Sequence, residues 1–427
     1  MDEGLLEVAD RVWRGEVPIE ENNPFSSPWA ASCMLTEVAP GVATVSSLAN
    51  VHAISTDDGL VFVDTGIFFL ARTIHSSIRA WSGERLHAAV YSHGHIDHVF
   101  GTAPFEEEAA EKGWPAPRVV AHENVSPRFD RYVLTAEYNA WINRRQFGIP
   151  QLTWPTEYRY PDETYRDVHA FDVGGERFEL HHARGETDDH TWTWVPGRRL
   201  ICCGDMMIWG TPNCGNPQKV QRYPGDWARA LREMAALGAE ILLPGHGFPV
   251  IGKDRITRTL SETAELLEFL HDETVALMNA GATLDDIIHT VTPPERLISR
   301  PYLRPIYDDP EFIVHNVWRY YGGWYDGNPS RLKPAPDDRV AKELAALAGG
   351  AERVAARARE LLAEGHLRIA AHLAETAALA APDSVEAHAV RAEVYEARVA
   401  AEPSLMAKGI FGWAARDSRE RAGSAEE

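Results

Sequence analysis

Four side chains of the types that bind metal ions fall close together in this chain, at His93, His95, Asp97 and His98. They follow an apolar stretch, residues 86–91, which predicts a buried strand. A strand that leads into a loop of this composition places its side chains around one point. Because Zn²⁺ favours imidazole nitrogen and carboxylate oxygen, the pattern predicts a site that fits two zinc ions.

Three more residues of the same types stand at the ends of predicted strands further along the chain. His190 lies just before one strand, Asp205 just after a second and His246 just after a third. In open α/β architectures, the loops beyond strand ends are where ligands gather. Each of these residues alone would be typical of a core histidine or of a turn. Their occurrence in this order after the histidine cluster predicts that all three join the metal site.

The elements that must position these residues change in type along the chain. The length of 427 residues predicts two or three structural units. Strands and helices alternate first, with a β-hairpin predicted at 168–182 and a helix at 132–147, as in an α/β layered domain. We predict this domain over residues 1–255, a helical and aromatic-rich segment over 256–336, and an alanine-rich helical bundle with a charged tail over 337–427.

Charge and composition exclude some classes of partner. The formal net charge of −21 argues against nucleic acid and against anionic membrane surfaces, so an anionic substrate would need metal ions or arginines to hold it. The N-terminal residues show no apolar signal region, and no run approaches the ~20 apolar residues of a membrane span. The four cysteines lack CxxC spacing, which favours reduced thiols in a cytoplasmic protein.

Taken in order, the HxHxDH cluster, a later histidine, Gly-Asp and Pro-Gly-His resemble the motif series of the metallo-β-lactamase superfamily. The resemblance implies an αββα sandwich with a two-metal site in one cleft, where a water-derived hydroxide is available near neutral pH. Asp64 resembles that family's early strand-end aspartate, and both Asp64 and Asp189 are candidates to accept hydrogen bonds from the imidazole N–H groups. The resemblance assigns one zinc ion to His93, His95 and His190, the other to Asp97, His98 and His246, and the bridging position to Asp205.

The second half of the chain resembles one branch of that superfamily. Residues 320–329, Tyr-Tyr-Gly-Gly-Trp-Tyr-Asp-Gly-Asn-Pro, with residues 315–317 before them, look like the dimerisation-region signature of alkyl sulfatases. Residues 143–145, Asn-Arg-Arg, resemble another stretch of that group. The resemblance implies a homodimer and an organic sulfate ester as substrate. It departs at the metal site, because alkyl sulfatases of the best-known type use glutamates where this chain has His190 and Asp205.

The residues that would hold the sulfate depart from the pattern as well. Alkyl sulfatases place Asn and Arg downstream of the bridging ligand for this purpose. Asn213 falls at a fitting place for the first, but Gln218 stands at the matching arginine position. Lys219 and Arg222 are candidates to replace that arginine.

Four further residues are candidates for contact with the substrate. Arg144 and Arg145 suit bidentate contact with a sulfate or carboxylate, the alternative being solvated or salt-bridged arginines. Trp209 is a candidate wall for the apolar body of an ester, the alternative being a core position. His315 is a candidate to protonate a departing alkoxide, the alternative being a histidine that packs its helix.

The sequence therefore predicts a two-zinc hydrolase with an all-helical dimerisation region, acting on an ester of an organic anion, foremost an alkyl sulfate. Asp97, Asp205 and His315 are its predicted catalytic residues, and iron or manganese are alternatives to zinc. Three other functions stay open: a hydrolase of carboxylic esters, lactones, thioesters or phosphate esters on the same metals, a di-iron redox protein, and a non-catalytic scaffold that keeps the helical dimer.

Overall fold

The computed structural model describes residues 4–423, and its first sheet contains seven strands that lie side by side in chain order. They are β1 (Leu35–Ala39), β2 (Val42–Val45), β3 (Val51–Thr56), β4 (Gly59–Val63), β5 (Leu86–Val90), β6 (Arg118–His122) and β7 (Glu163–Tyr165). Strands β1 to β4 pair antiparallel, and β5 to β7 continue the sheet in parallel. Every residue of β4 is buried, as expected for a strand that is covered on both faces.

The second sheet contains six strands in the order β13-β12-β11-β10-β9-β8. They are β8 (Val168–Val173), β9 (Glu176–His182), β10 (Thr191–Val195), β11 (Leu200–Ile208), β12 (Ile241–His246) and β13 (Val250–Ile251). Strands β8 and β9 form the predicted hairpin. Gly174 and Gly175 make its turn with positive φ angles, which glycine adopts readily and a two-residue hairpin turn requires.

The described residues also form fifteen α-helices. They are α1 (Leu5–Trp13), α2 (Ala71–Trp81), α3 (Ala103–Lys112), α4 (Val125–Leu134), α5 (Ala136–Phe147), α6 (Pro224–Ala236), α7 (Lys253–Asn279), α8 (Leu284–Thr290), α9 (Glu295–Ile298), α10 (Pro310–Gly322), α11 (Asp337–Ala348), α12 (Ala351–Ala363), α13 (Leu367–Ala380), α14 (Val385–Ala401) and α15 (Leu405–Gly423).

The two sheets pack face to face and carry helices on their outer faces. Ile54 and Val61 of the first sheet share a buried core with Phe178 and Leu200 of the second. Helices α2 and α3 cover the other face of the first sheet, while α1, α6 and α7 cover the second. Because each sheet must bury both apolar faces, the result is a four-layer arrangement. The predicted αββα sandwich followed by helices is confirmed.

The chain divides into two compact units whose boundaries differ from the predicted divisions at residues 255 and 336. Within the described residues, the first unit comprises residues 4–136 and 155–323, and the second comprises residues 137–154 and 324–423. The second unit has a core rich in small side chains, such as Ala355, Ala358 and Ala374.

Several elements differ in extent from the prediction. The helix predicted at 132–147 is two helices, α4 and α5, which meet at Thr135. Strand β11 runs on to Ile208, so Asp205 lies within a strand and not after it. The predicted charged tail is helical as far as Gly423, while residues 424–427 lie outside the described part of the chain.

The structure bears on the predictions of reduced cysteines and of a chain without a membrane span. All four cysteines are buried and free of disulfide bonds, in agreement with the prediction of reduced thiols. Between residues 4 and 423, no helix combines the length and the apolar character that crossing a membrane requires.

Candidate metal centre

The structure gathers seven potential ligands into two adjoining groups within the first unit. One group consists of His93, His95, Glu186 and Asp205, and the other consists of Asp97, His98 and His246. The first cluster follows β5 and Asp205 lies in β11, while His246 ends β12. Interior strands of both sheets therefore contribute ligands to this site.

The first group has the close spacing of atoms that share a cation. Oε2 of Glu186 lies 3.2 Å from Nε2 of His93 and 3.2 Å from Nδ1 of His95. The two imidazole nitrogens are 2.7 Å apart. Atoms bound tetrahedrally to zinc at roughly 2.0–2.1 Å lie about 3.3 Å from one another. The distances from the carboxylate to the imidazoles match that spacing.

Asp205 connects the two groups. Its Oδ1 lies 3.5 Å from Nε2 of His98, and its Oδ2 lies 3.3 Å from Nε2 of His246. Oδ2 of Asp97 lies 3.5 Å from the same atom of His246. A Cβ atom at position 245 would lie 2.1 Å from Oδ1 of Asp205. The glycine of the Pro-Gly-His motif therefore leaves the space that the carboxylate of Asp205 occupies.

Hydrogen bonds fix the orientation of three imidazoles. Nδ1 of His98 donates to Oδ2 of Asp64 at 2.7 Å, and Oγ of Ser92 donates to the same oxygen at 2.8 Å. That hydroxyl oxygen is 3.0 Å from Nδ1 of His93 and accepts from it. Nδ1 of His246 donates to the backbone oxygen of Leu48. In each ring the N–H is used at Nδ1, so the lone pair of Nε2 faces the ligand group.

Asp64 has an unfavourable backbone conformation. Its φ angle is 61°, in the left-handed region that residues other than glycine seldom adopt. The side chain is buried and has Ser92 and His98 as partners. Strain of this kind persists where the surroundings hold it, often at functional sites. Of the two candidates for imidazole support, the structure selects Asp64.

Buried lone pairs without hydrogen-bond partners show that these residues fit a metal. Nε2 of His98, Oε2 of Glu186 and Oδ1 of Asp205 are all buried atoms without a hydrogen bond. Buried polar atoms normally have partners because leaving one unpaired is costly. Oδ1 of Asp205 lies 3.5 Å from Nε2 of His98, and a bound cation would supply the partners that these atoms lack.

The structure does not bring His190 into either group. Nε2 of His190 accepts a hydrogen bond from the backbone N–H of Asp205 at 3.1 Å, so its lone pair is already used. The ring stacks on His93 with centroids 4.9 Å apart. His190 thus packs behind the site, and Glu186 occupies the position expected for it.

Glu186 is the candidate ligand that the sequence prediction omitted, although a signal for it was present. The resemblance to alkyl sulfatases implied a glutamate in this part of the ligand set, and Glu186 lies four residues before His190. Its carboxylate is buried. The turn from 185 to 190 also contains Asp188 and Asp189, and their order along the chain does not tell which side chain faces the histidines.

Asp189 connects the two ligand loops through a buried arginine. Nε of Arg128 donates to Oδ2 of Asp189 at 2.8 Å, and the backbone N–H of Gly94 donates to the same oxygen at 3.0 Å. The guanidinium also pairs with Asp188. Asp189 therefore holds the backbone of the histidine cluster and the Glu186 turn together.

Asn213 and Arg222, predicted to bind substrate, both contact Glu186. Nδ2 of Asn213 donates to Oε1 of Glu186. Arg222 donates to the backbone oxygen of Glu186, and its guanidinium lies 3.2 Å from Oε1. One carboxylate oxygen is thus held by two donors, which leaves Oε2 facing the imidazoles.

Lys219 lies within electrostatic range of both ligand groups. Burial and the nearby charge of Arg222 lower the pKa of Lys219 to about 8, while the carboxylates of Glu186 and Asp97 oppose that shift. Arg319 donates to the backbone oxygen of Lys219 at 3.2 Å. A cationic region therefore adjoins the carboxylates.

Charged neighbours within the centre lower the pKa of both Asp205 and Glu186. Burial acts to raise the pKa of Asp205, but the imidazoles of His246 and His98 hold it well below its ordinary value. Burial also acts to raise the pKa of Glu186, and His95 and Arg222 likewise hold it well below. Both carboxylates are therefore anionic, as metal ligands must be.

The structure corrects the prediction for Trp209. It is buried in the core of the first unit, where it packs against Trp13 and Phe248, and its Nε1 donates to the backbone oxygen of Phe248 at 2.7 Å. Its ring would lie 2.6 Å from a Cβ atom at Gly247. Trp209 therefore supports the turn after His246 and does not line a substrate wall.

The remaining predicted residues keep their roles only as predictions. His315 is exposed on α10, while its neighbour Asn316 turns inward to Arg222. Arg144 and Arg145 lie on α5 in the second unit. Nε of Arg144 donates to the backbone oxygen of Leu152 at 2.7 Å, within the same unit.

Two stretches of the chain match known protein families. Residues 47–246 match the metallo-beta-lactamase superfamily, and residues 283–421 match the alkyl sulfatase dimerisation family. The chain carries a metallo-β-lactamase domain and an alkyl sulfatase dimerisation domain. The resemblance predicted from the HxHxDH series and from the string at 320–329 is confirmed.

Proteins that are similar to this chain in sequence include alkylsulfatases. The chain is 28% identical over 344 residues to a linear primary-alkylsulfatase of a Pseudomonas strain, which covers 75% of this chain and 64% of that relative. It is 24% identical over 377 residues to the alkyl/aryl-sulfatase BDS1 of Saccharomyces cerevisiae, which covers 82% of this chain and 58% of that relative. The chain thus spans about three fifths of the length of these two relatives.

A solved structure shares the fold. The stereoselective inverting sec-alkylsulfatase Pisa1 from Pseudomonas sp. superposes with a TM-score of 0.80 at 24% identity, over 91% of this chain and 66% of that chain. At this level of identity the similarity shows a common fold, with the sandwich and the helices in both proteins.

Proposed function

We propose that this chain hydrolyses sulfate esters of organic alcohols at a binuclear zinc centre. The observation that carries the proposal is that the two adjoining ligand groups contain three buried ligand atoms without hydrogen-bond partners, on Glu186 and Asp205 of the first group and on His98 of the second. The match to the alkyl sulfatase dimerisation family supports the sulfate ester over other esters. The similarity to named alkylsulfatases supports the same substrate class.

In this proposal Glu186 replaces His190 among the ligands of the first ion. His93, His95 and Glu186 would hold the first ion, and Asp97, His98 and His246 would hold the second, with Asp205 as the carboxylate shared between them. When bound, two zinc ions supply a nucleophile near neutral pH by lowering the pKa of water, and they neutralise charge on the ester. Iron or manganese would suit the same nitrogen and oxygen donors.

The chain's own contribution is to hold these ligands and to receive an anion. Asp64, through His98, keeps the lone pairs of the ligands directed inward. Arg222 and Lys219 supply positive charge beside Glu186 for the sulfate head group. In a buried site such fixed charges stabilise an anion more strongly than they would in water. His315 is kept as the candidate that protonates the departing alkoxide.

A panel of esters tests the proposed reaction. The purified full chain, loaded with zinc, is assayed with alkyl sulfates, carboxylic esters, a lactone, a thioester and phosphate esters under the same conditions. We expect sulfate release that Asp205→Ala abolishes and that Asp338→Ala, which changes a half-exposed aspartate on α11, leaves unchanged. Turnover of another ester class without sulfate release from any alkyl sulfate would contradict the proposal.

Dimerisation and location follow as parts of the proposal. The match of residues 283–421 to the dimerisation family supports a homodimer. The four buried, unpaired cysteines support a cytoplasmic location.

A further inference from the structure

The chain between β11 and α6, residues 209–223, has no regular secondary structure. We call it the connecting segment. It carries Asn213, Lys219 and Arg222, the candidate substrate-binding residues near Glu186. Because such a segment has no helical turns or neighbouring strand to pair its backbone N–H and C=O groups, these groups need partners from elsewhere in the fold. The residues that hold the connecting segment therefore also set the position of the anion site.

Helix α10 supplies the partner at the end of the connecting segment that carries Arg222. Nδ2 of Asn316 donates to the backbone oxygen of Arg222 at 3.1 Å. Oδ1 of Asn316 accepts from the backbone N–H of Arg222 at 3.2 Å. The side-chain amide thus pairs with both backbone groups of one residue, which requires a donor and an acceptor on the same short side chain. Leucine has a similar shape and makes neither hydrogen bond.

The amide oxygen of Asn316 also has partners on the way to Lys219. It accepts from Nε2 of Gln221 at 2.9 Å and from Nη2 of Arg319 at 3.2 Å. Arg319, three residues later on α10, donates from Nη1 to the backbone oxygen of Lys219 at 3.2 Å. The inner face of α10 therefore holds the connecting segment from residue 219 to residue 222.

The position of Asn316 in α10 would suit an apolar residue. Asn316 is 3% exposed, and its neighbours Ile313 and Val317 pack into the core of the first unit. Burying an amide costs free energy unless its hydrogen bonds are made. Packing of the helix alone would be served by an apolar side chain. The amide therefore indicates a role toward the connecting segment.

The chain just before α10 holds the other end of the connecting segment. The buried carboxylate of Asp308 accepts a hydrogen bond from the backbone N–H of Gly215, two residues after Asn213. A Cβ atom at position 215 would lie 2.3 Å from the backbone nitrogen of Ile313. The backbone at Gly215 thus lies directly against the first turn of α10. Residues 308–316 hold the connecting segment on both sides of Lys219.

We propose that Asn316 is a positioning residue of the anion site, which fixes the backbone of Arg222 so that its guanidinium is directed at Glu186 and at the substrate's anionic head group. This inference rests on the proposed function, in which Arg222 receives that group. The guanidinium contacts the backbone oxygen and Oε1 of Glu186, and Nε of Arg222 is buried without a hydrogen-bond partner. An anion beside it would supply the missing acceptor.

This role would join the two family matches at one site. Asn316 lies within the stretch that matches the alkyl sulfatase dimerisation family, residues 283–421, whereas Arg222 lies within residues 47–246. Both residues belong to the first compact unit. The anion site would then need a residue from outside the metallo-β-lactamase stretch.

A double-mutant cycle on anion binding tests this inference without turnover. The full chain and the variants Asn316→Leu, Arg222→Gln and Asn316→Leu/Arg222→Gln are titrated with butanesulfonate by calorimetry in saturating zinc. We expect Asn316→Leu alone to weaken binding about tenfold. When Arg222→Gln is already present, Asn316→Leu should weaken binding by less than about twofold, because residues that act through one another have non-additive effects.

A matched control separates this role from a general loss of stability. Thr263→Val removes a buried hydrogen bond in α7 of the same unit, from Oγ1 of Thr263 to the backbone oxygen of Thr259, with little change of shape. It should lower the unfolding midpoint and leave the Kd for butanesulfonate unchanged. If Asn316→Leu does not fold, Asn316→Ala, which removes the amide without adding bulk, takes its place in the same cycle.

Three results would overturn the inference. An unchanged Kd in Asn316→Leu would remove the role of Asn316, and equal losses in both backgrounds would show that it acts independently of Arg222. Absence of butanesulfonate binding to the unmodified chain would leave no anion site to position. Failure of the proposed function is distinguishable, because sulfate release would then be absent while butanesulfonate binds and the cycle stays non-additive.

Discussion

At the scale of single residues, the carboxylate of Glu186 is held at one oxygen and free at the other. Asn213 and Arg222 both contact Oε1, while Oε2 faces His93 and His95. This division of roles separates a ligand from an ordinary buried ion pair, in which both oxygens would have donors. His190, four residues later, has its inward lone pair occupied by a backbone N–H.

Separate substitutions of Glu186 and His190 distinguish a metal ligand from a residue that only packs behind the site. Glu186→Gln keeps the shape of the side chain and removes its charge, so we expect zinc affinity at one of two sites to fall by at least about 100-fold. His190→Gln, the matched control, should retain two zinc ions per chain. Zinc is measured by competition with a chelating dye. Loss of zinc from His190→Gln with retention by Glu186→Gln would restore His190 to the ligand set.

Lys219 gives the proposed anion site a dependence on pH. Its pKa is lowered to about 8 by burial and by Arg222, so the amine is charged below that pH and neutral above it. We expect KM for an alkyl sulfate to rise about tenfold between pH 7 and pH 9.5 as that charge is lost. Lys219→Arg keeps its charge throughout and should flatten the rise. An identical profile for Lys219→Arg would exclude Lys219 as the cause.

At the scale of elements, two sheets and one helix bring the ligands together. The histidine cluster follows β5, Asp205 lies in β11 and His246 ends β12, while Arg128 of α4 ties the first loop to the Glu186 turn. The ligands are thus supported by strands and by a buried ion pair, which is the arrangement that holds a site rigid.

Removing Arg128 should destabilise the fold and the centre together. Arg128→Ala leaves Asp189 buried without its cation, so we expect the free energy of unfolding to fall by about 3–5 kcal/mol. Denaturant unfolding of the metal-free chain measures it. Arg166→Ala removes an exposed pair with Glu123 and should leave the midpoint unchanged. Equal midpoints for both variants would show that the buried pair contributes nothing to stability.

Much of the element order could be predicted, because apolar periodicity and turn glycines are local signals. The predicted hairpin at 168–182 matches strands β8 and β9. The helix predicted at 132–147 includes only the last three residues of α4, although Pro127 lies in the first turn of that helix, where proline is tolerated. In the site, the histidine cluster was readable from its spacing. The sequence could not show that Glu186 and not His190 joins the ligand group, because that depends on the three-dimensional path of the turn between them.

At the scale of the whole molecule, the second unit presents an apolar stripe on α11. Val340, Leu344 and Leu347 are spaced to share one face, and all are exposed in the single chain, Leu347 by 85%. An exposed apolar stripe marks an association surface, and α11 lies within the stretch that matches the dimerisation family.

This stripe predicts the association state. We expect sedimentation equilibrium to give about twice the chain mass of 47.5 kDa, and Leu344→Asp/Leu347→Asp to weaken the dimer at least tenfold. Val168→Asp, an exposed valine on β8, is the matched control and should stay dimeric. A monomer in the unmodified protein, or a dimer unaffected by the stripe variant, would contradict this.

The most direct test of the proposed centre is anomalous scattering at the zinc absorption edge from crystals of the zinc-loaded chain. The account predicts two peaks, one bound by His93, His95 and Glu186 and one by Asp97, His98 and His246, with Asp205 reaching both. A peak bound through Nδ1 of His190 in place of Glu186, or no peak at either group, would contradict it.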